Sequence, residues 1–183
     1  NVIQQTAGTE TAYRTQALIM ALSHLLRYSL MSNDEQVPLS REVRIVDEYY
    51  SIYHVRFGER VRMEWRISDS LGLSETMVPS FILQPIVENA VKHGLEYEEE
   101  DGKGHIRIEC RGEDEFIVFR VINNGGAIDL QKVAEVMRTP GTGYGIYNIC
   151  ERIELYYGPG SGLFPSVTED GETCFTLKLN RTL

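Results

Sequence analysis

Two periodicities alternate along this chain, and the switches between them outline its elements. Over 10–31, ETAYRTQALIMALSHLLRYSLM, the residues Leu18, Leu22, Leu25, Leu26 and Leu30 share a face with Ile19, which predicts a long helix. Asn33 to Val37 is a polar break and Pro38 follows it; Ser40 then stands where it would cap a second helix, about 40–57. Glu42 lies near the start of that helix, and Val43, Val46, Tyr50 and Tyr53 line one side of it. After Gly58 the period drops to two. Val61, Met63, Trp65 and Ile67 alternate with Arg60, Arg62, Glu64 and Arg66, the pattern of a half-buried strand. Pro79 sits where a first helical turn would begin, and a helix over 80–93 closes at Gly94.

The acidic run EYEEEDGKG (96–104) reads as a solvated loop. HIRIECR and EFIVFRVIN flank a turn near Glu113 as a β-hairpin. Residues 125–143 form a glycine-bounded connector with one short helix around 129–138, and a helix over 145–157 follows. Strands at about 163–169 and 173–179 close the chain around a turn at Asp170-Gly171. Hairpins interleaved with helices specify an α/β fold: a two-layer α/β sandwich whose mixed sheet carries helices on one face, preceded by the long N-terminal helix.

Composition narrows the function classes. The 183 residues suit one domain with a helical appendage, and 42% hydrophobic with 25% charged residues is ordinary for a globular protein. A net charge of −9 argues against broad binding of nucleic acid or anionic membrane. No apolar run reaches the length of a membrane span, and no signal peptide opens the chain. The start on Asn1 carries the expectation of a fragment whose signal input or membrane anchor lies elsewhere. Cys110, Cys150 and Cys174 are odd in number and far apart, which reads as free thiols in a reducing compartment. His24, His54, His93 and His105 show no zinc-site spacing.

The most informative stretch is SFILQPIVENAVKH (80–93). Ile82, Leu83, Ile86, Val87, Ala90 and Val91 spread over one apolar face, while Gln84, Glu88, Asn89 and Lys92 fall opposite, with His93 at the border. Glu88 and Lys92 are four apart, as are Asn89 and His93, and a solvated face with an i,i+4 ion pair would look similar. Yet Asn and Gln are at best neutral in mid-helix, and the four groups suit a Mg-nucleotide site. The Asn89 carbonyl is a hard oxygen ligand for Mg²⁺. Glu88 can polarise an attacking group or hold a metal-bound water, and Lys92 and His93 can balance phosphate charge. VINNGGAID (121–129) ends a strand either in a plain turn or in a polar group with glycines that admit a ligand. GTGYGIYN (141–148) precedes a helix either as a flexible turn or as a phosphate loop. In this order and at these separations the three pieces are specific together.

They resemble sensor histidine kinases. LQPIVENAVKHG resembles the N-box, VINNGG the first glycine box, and GTGYGIYNICERIELYYG the second glycine box with its helix. LSHLLRYSL, the Tyr-rich helix running into Arg56-Phe57, and the closing Gly171-Glu172-Thr173 place the likeness in the LytS/YesM-like subfamily, from about residue 10 to the end. The resemblance implies a Bergerat ATP-binding fold, with ATP and Mg²⁺ as cofactors. It assigns residues 1–36 to the second half of a dimerisation hairpin and 37–183 to the ATP-binding catalytic domain. Asn89 would hold Mg²⁺, Glu88 would assist phosphoryl transfer, and Lys92 and His93 would sit near the phosphates. Asn123 takes the place of the family's adenine-reading Asp, Gly125 would line the adenine pocket, and Thr173 would support the adenine contact. Gly141, Thr142, Gly143, Tyr144 and Gly145 would contact the nucleotide, the glycines hinging a lid.

Two departures carry physical consequences. Asn123 lacks the carboxylate's charge, worth roughly 1 kcal/mol of hydrogen bonding, so adenine affinity is expected about five- to tenfold lower. Ala127 stands where a second glycine is usual. A phosphoacceptor motif like His-Phe-Leu-Phe-Asn does not occur, and His24 lacks its flanks. The expected chain therefore binds ATP without phosphorylating itself. In the intact protein it would act as a homodimer and pass phosphate to a response regulator. It would form the cytoplasmic part of a membrane-anchored bacterial protein, with no nucleic-acid partner and no membrane contact of its own. The rival readings are a degenerate nucleotide-binding scaffold and a gyrase- or MutL-like ATPase in which Glu88 activates water.

Overall fold

The computed structural model describes residues 15, 16, 19–23, 26, 36–57, 60–96, 104–125, 128–140 and 144–181. Of the helix expected over 10–31, the described positions are all helical, and the others, His24 among them, lie outside the described residues. The elements are β1 (Gln36–Pro38), α1 (Leu39–Phe57), β2 (Val61–Ile67), β3 (Met77–Pro79), α2 (Gln84–Glu96), β4 (Gly104–Glu113), β5 (Phe116–Asn123), α3 (Leu130–Val136), α4 (Tyr144–Tyr157), β6 (Gly162–Val167) and β7 (Thr173–Asn180). They group into two compact units, one made of Asn1–Arg60 with Ser74–Gln84, the other of Val61–Leu73 with Pro85–Leu183.

In the first unit, β1 and β3 pair antiparallel, Val37 opposite Val78, and the Leu39 N–H donates to the Thr76 carbonyl at 2.8 Å. α1 buries Leu39, Glu42, Ile45, Val46 and Tyr49. The stripe expected from the polarity pattern was different: Val43, Tyr50 and Tyr53 are only half-buried. A carboxylate turns the helix. Glu42 is wholly buried, and its Oε1 accepts from the Phe81 N–H at 2.7 Å while Oε2 accepts from Ile82 at 2.9 Å and Leu83 at 3.1 Å. These donors stand at the entry to α2, where backbone N–H groups lack helical partners and the helix end is positive.

The same clamp resets the start of α2. Phe81 is held at φ 57°, in the left-handed region that costs a non-glycine residue about 1–2 kcal/mol. The helix therefore begins at Gln84 rather than 80, Pro85 instead of Pro79 occupies its first turn, and Pro79 ends β3. Its other end runs through Gly94 to Glu96 rather than stopping at that glycine. α1 likewise starts one residue early, so Ser40 lies inside the helix it was expected to cap.

The second unit is a five-stranded mixed sheet in the order β2-β4-β5-β7-β6. β2 runs parallel to β4 and the other neighbours are antiparallel. Across its middle, Ile108 pairs with Val121 and Val121 with Phe175, while Cys110 pairs with Phe119 and Phe119 with Leu177, and all are buried. The alternate residues form an ion network on the other face: Arg107 and Arg120 each lie 3.1 Å from Glu109, and Arg107 lies 3.4 Å from Glu172. One face is thus apolar across its middle, while the other mixes these charges with the buried Val118, Ile122 and Cys174. Ile146, Ile149, Ile153 and Tyr157 give α4 its buried stripe. Burial pushes the Cys110 thiol up to about 12 and the half-buried Cys150 up to about 11, so both stay protonated and inert at neutral pH. All three cysteines are free.

Glu42→Gln strips a charge from the clamp and turns an amide N–H₂ toward donors. Urea unfolding of the variant is expected to show a loss on the order of 3 kcal/mol, since buried N–H groups are left unsatisfied. A midpoint within experimental error of the parent's would mean the carboxylate does not hold the entry to α2.

Candidate functional site

Helical spacing puts Asn89 and His93, one turn apart, at the edge of the buried stripe of α2. Both line a cavity of about 340 Å³, within the range of small-molecule pockets. Thr173 and Phe175 of β7 line it as well, with Ile146 of α4 and the Ile128–Val136 segment that carries α3. α3 is fixed locally: the Asp129 carboxylate accepts from the Gln131 and Lys132 N–H groups at 3.0 and 3.1 Å, capping the helix. None of its residues is fully buried, although Val133 and Val136 turn toward the cavity.

Asn123 ends β5 next to Thr173 and does not itself line the cavity. It pairs in register with Ile106 on one side and Thr173 on the other, is 1% exposed, and its Nδ2 has no hydrogen-bond partner. Buried amides are rarely left this way, because an unmade bond costs about 1–3 kcal/mol. The adjacent Asn124 does a structural job: its Oδ1 accepts from the His105 N–H at 2.6 Å. Gly125 is buried against the last turns of α2, where an added Cβ would lie 2.6 Å from the His93 carbonyl carbon and oxygen. The glycine is required by close approach of two backbones.

Other site candidates fall elsewhere. Glu88 and Lys92 form an ion pair at 2.9 Å on the neighbouring stripe and do not line the cavity. Such a pair is worth about 0.3–0.5 kcal/mol. Gly145 lies in the first turn of α4, where an added Cβ would come within 3.0 Å of the Pro85 Cβ, and Tyr144 is the first residue of that helix. Gly141, Thr142 and Gly143 lie outside the described residues. The sequence reading missed Asp129, Lys132, Phe175 and Ile146 as lining residues. The alternation in TCFTLKLN does place Thr173 and Phe175 on one face, so that pair was recoverable. Taken together, apolar walls from Val133, Ile146 and Phe175, a polar floor, and His93, Asn89 and Lys132 suit a ligand with a flat body and an anionic end.

Comparison with known proteins points the same way. Residues 79–183 match the family described as histidine kinase-, DNA gyrase B-, and HSP90-like ATPase, and residues 1–61 match one described as histidine kinase. Sensor histidine kinase YpdA of Escherichia coli (strain K12) is 31% identical over 146 residues, 78% of this chain and 25% of the relative. Sensor protein LytS of Streptococcus mutans serotype c is 31% identical over 168 residues, 88% of this chain and 28% of the relative. Sensor histidine kinase YesM of Bacillus subtilis (strain 168) is 32% identical, covering 80% of this chain and 24% of the relative. The chain spans about a quarter of the length of these relatives. Among solved structures, the nucleotide-free catalytic domain of histidine kinase ThkA superposes with a TM-score of 0.59 at 14% identity, over 80% of this chain and 94% of that one. ThkA in complex with the response regulator TrrA gives 0.60 at 14%, over 97% and 52%. At these identities the likeness is one of fold.

Gly125→Ala drives a methyl group into the backbone of α2 at His93. It is expected to cost about 1–3 kcal/mol in urea unfolding, as overpacking does. A neutral result would show that the strand end and helix have room to separate.

Proposed function

The chain belongs to the histidine kinase-, DNA gyrase B- and HSP90-like ATPase family, and from that premise we propose that it binds MgATP in the cavity between α2, α3, α4 and β7 as the catalytic portion of a two-component sensor histidine kinase. One observation carries the reading: Asn89 and His93 from the first motif and Thr173 from the last line a single cavity, with the buried, unpaired amide of Asn123 in register beside Thr173. A cavity of this size suits a nucleotide, and the Asn123 amide can still accept from or donate to a base edge.

In this reading the Asn89 carbonyl offers one oxygen ligand to Mg²⁺, whose other positions fall to water and phosphate oxygens. Bound there, the ion neutralises charge on the transferring phosphoryl group. His93 and Lys132 lie where they add positive charge along the phosphates. The N-terminus of the 14-residue α4, which opens on Tyr144 with Gly145 in its first turn, contributes backbone N–H groups, and Gly141, Thr142 and Gly143 precede it in sequence. Asn123 and Thr173 read the base edge, and Gly125 keeps the strand end seated on α2. Glu88 orients and polarises the attacking imidazole. Its weak pair with Lys92 opens easily, freeing the ammonium for a phosphate.

The intact protein passes the γ-phosphoryl group to a histidine upstream of the 10–31 helix and then to an aspartate of a response regulator. The fold likeness to ThkA, solved with a response regulator, supports that partner. Residues 1–36 supply the second half of a dimerisation hairpin and 37–183 the ATP-binding domain. The exposure of Ile19, Met20, Leu22 and Leu26, each above half, supports a helix that pairs with another in a homodimer. Among the described residues no helix is long and apolar enough to cross a membrane. We place this chain on the cytoplasmic side of a membrane-anchored protein.

Calorimetric titration with MgADP and MgATP tests the site. Binding is expected in the parent chain and at least tenfold weaker in Asn89→Ala. Asn123→Asp should tighten ADP about fivefold through a charged hydrogen bond, and Gly143→Ala should weaken it without moving the unfolding midpoint. Absence of heat at millimolar nucleotide discards the proposal. Incorporation of γ-label by the intact protein separates a kinase from a scaffold, and steady phosphate release by this chain alone would favour a hydrolysing ATPase.

A further inference from the structure

We infer that Asn123 makes the base subsite tolerant of 6-oxo purines, so that the chain binds guanine and hypoxanthine nucleotides as well as adenine ones. This rests on the nucleotide reading above and adds the class of base to it. Asn123 is 1% exposed at the end of β5, with its Nδ2 buried and without a partner. Its strand neighbour in register, Thr173, lines the cavity.

The argument turns on what an amide offers that a carboxylate does not. A carboxylate only accepts hydrogen bonds, whereas an amide accepts at Oδ1 and donates at Nδ2, and a half-turn about χ2 exchanges the two. Adenine presents an amino donor at C6 beside the N1 acceptor. Guanine and hypoxanthine present a carbonyl acceptor at C6 beside an N1–H donor. Against a carboxylate the 6-oxo group sets two acceptors face to face in a buried place, and a group left unpaired there is heavily penalised. Against Asn123 either base finds a partner: the adenine amino group donates to Oδ1, or Nδ2 donates to the 6-oxo oxygen.

The neighbouring groups do not restore the discrimination. The hydroxyl of Thr173 donates or accepts by rotating. The other asparagine of the pair, Asn124, has its Oδ1 committed to the His105 N–H at 2.6 Å. The carboxylate lining this cavity, Asp129, has its Oδ1 committed to the cap of α3. The remaining polar groups around the cavity, Asn89, His93 and Lys132, are those assigned to the metal and phosphate end.

The experiment is direct titration of the chain with MgADP, MgGDP, MgIDP and MgCDP, repeated on Asn123→Asp. The parent is expected to bind ADP, GDP and IDP within about tenfold of one another and CDP at least tenfold more weakly. Asn123→Asp should widen the ADP-over-GDP ratio at least tenfold, with IDP following GDP. A parent that prefers ADP over both 6-oxo purines by a hundredfold or more overturns the inference while leaving the ATP site intact, and so does a ratio that the variant leaves unchanged. CDP binding as tightly as the purines overturns it by showing that only the phosphates are read. No binding of any nucleotide defeats the nucleotide reading itself. Should the buried charge of Asn123→Asp prevent folding, the parent's own ADP-to-GDP ratio still decides.

Discussion

The entry to helix α2 is held by one buried carboxylate. Glu42 reaches across 39 to 41 residues of sequence to accept the N–H groups of Phe81, Ile82 and Leu83. A buried carboxylate with no charged-state partners would be costly, and three short bonds from the positive end of a helix are what make it tolerable. The clamp holds Phe81 in a strained backbone conformation, ends β3 at Pro79 and starts the helix at Gln84. Within α2, Asn89 and His93 line the cavity, and Glu88 and Lys92 do not.

The sheet supplies the second constraint. One face is apolar across its middle, and the other carries Arg107, Glu109, Arg120 and Glu172 together with the buried Val118, Ile122 and Cys174. That ion network is half-buried and modest in energy. Asn123 and Thr173 lie on the apolar face, at the end of strands whose other inward residues are Val121, Phe119, Phe175 and Leu177. Two polar side chains at the limit of an otherwise apolar layer need a reason. In the proposed nucleotide reading a purine edge would meet both, with Ile146, Val133 and Phe175 as the apolar lining around it.

Much of this was legible in local pattern. Period-two stretches gave β2, the β4–β5 hairpin and the β6–β7 hairpin to within one or two residues at most ends, and period-3.6 stretches gave α1, α2 and α4. The apolar face read from Ile82 to Val91 is the buried face. Asn89 was singled out by residue type and helical spacing and Asn123 by its place at a strand end, while Thr173 came from the family resemblance. The less successful readings share a cause. Val43, Tyr50 and Tyr53 were chosen for α1's inner face because a glutamate is normally a surface residue, and nothing local announces that Glu42 has three donors waiting. Pro79 looked like a helix starter because the two-stranded β1–β3 ribbon, which absorbs it, joins segments about 40 residues apart.

The sequence by itself determined the types of the long helices and of the main sheet's strands and pointed to Asn89 and His93 on one helix face, since these follow from side-chain chemistry repeated at a fixed local period. Only the tertiary structure decided which groups meet. It paired Glu88 with Lys92, gave Asn124 to the His105 backbone, left the Asn123 amide buried and unpaired beside Thr173, and made Gly125 the contact between β5 and α2. Those outcomes depend on hydrogen bonds and close approaches between residues distant in sequence. Such contacts are set by how whole elements pack, and no local period carries that information.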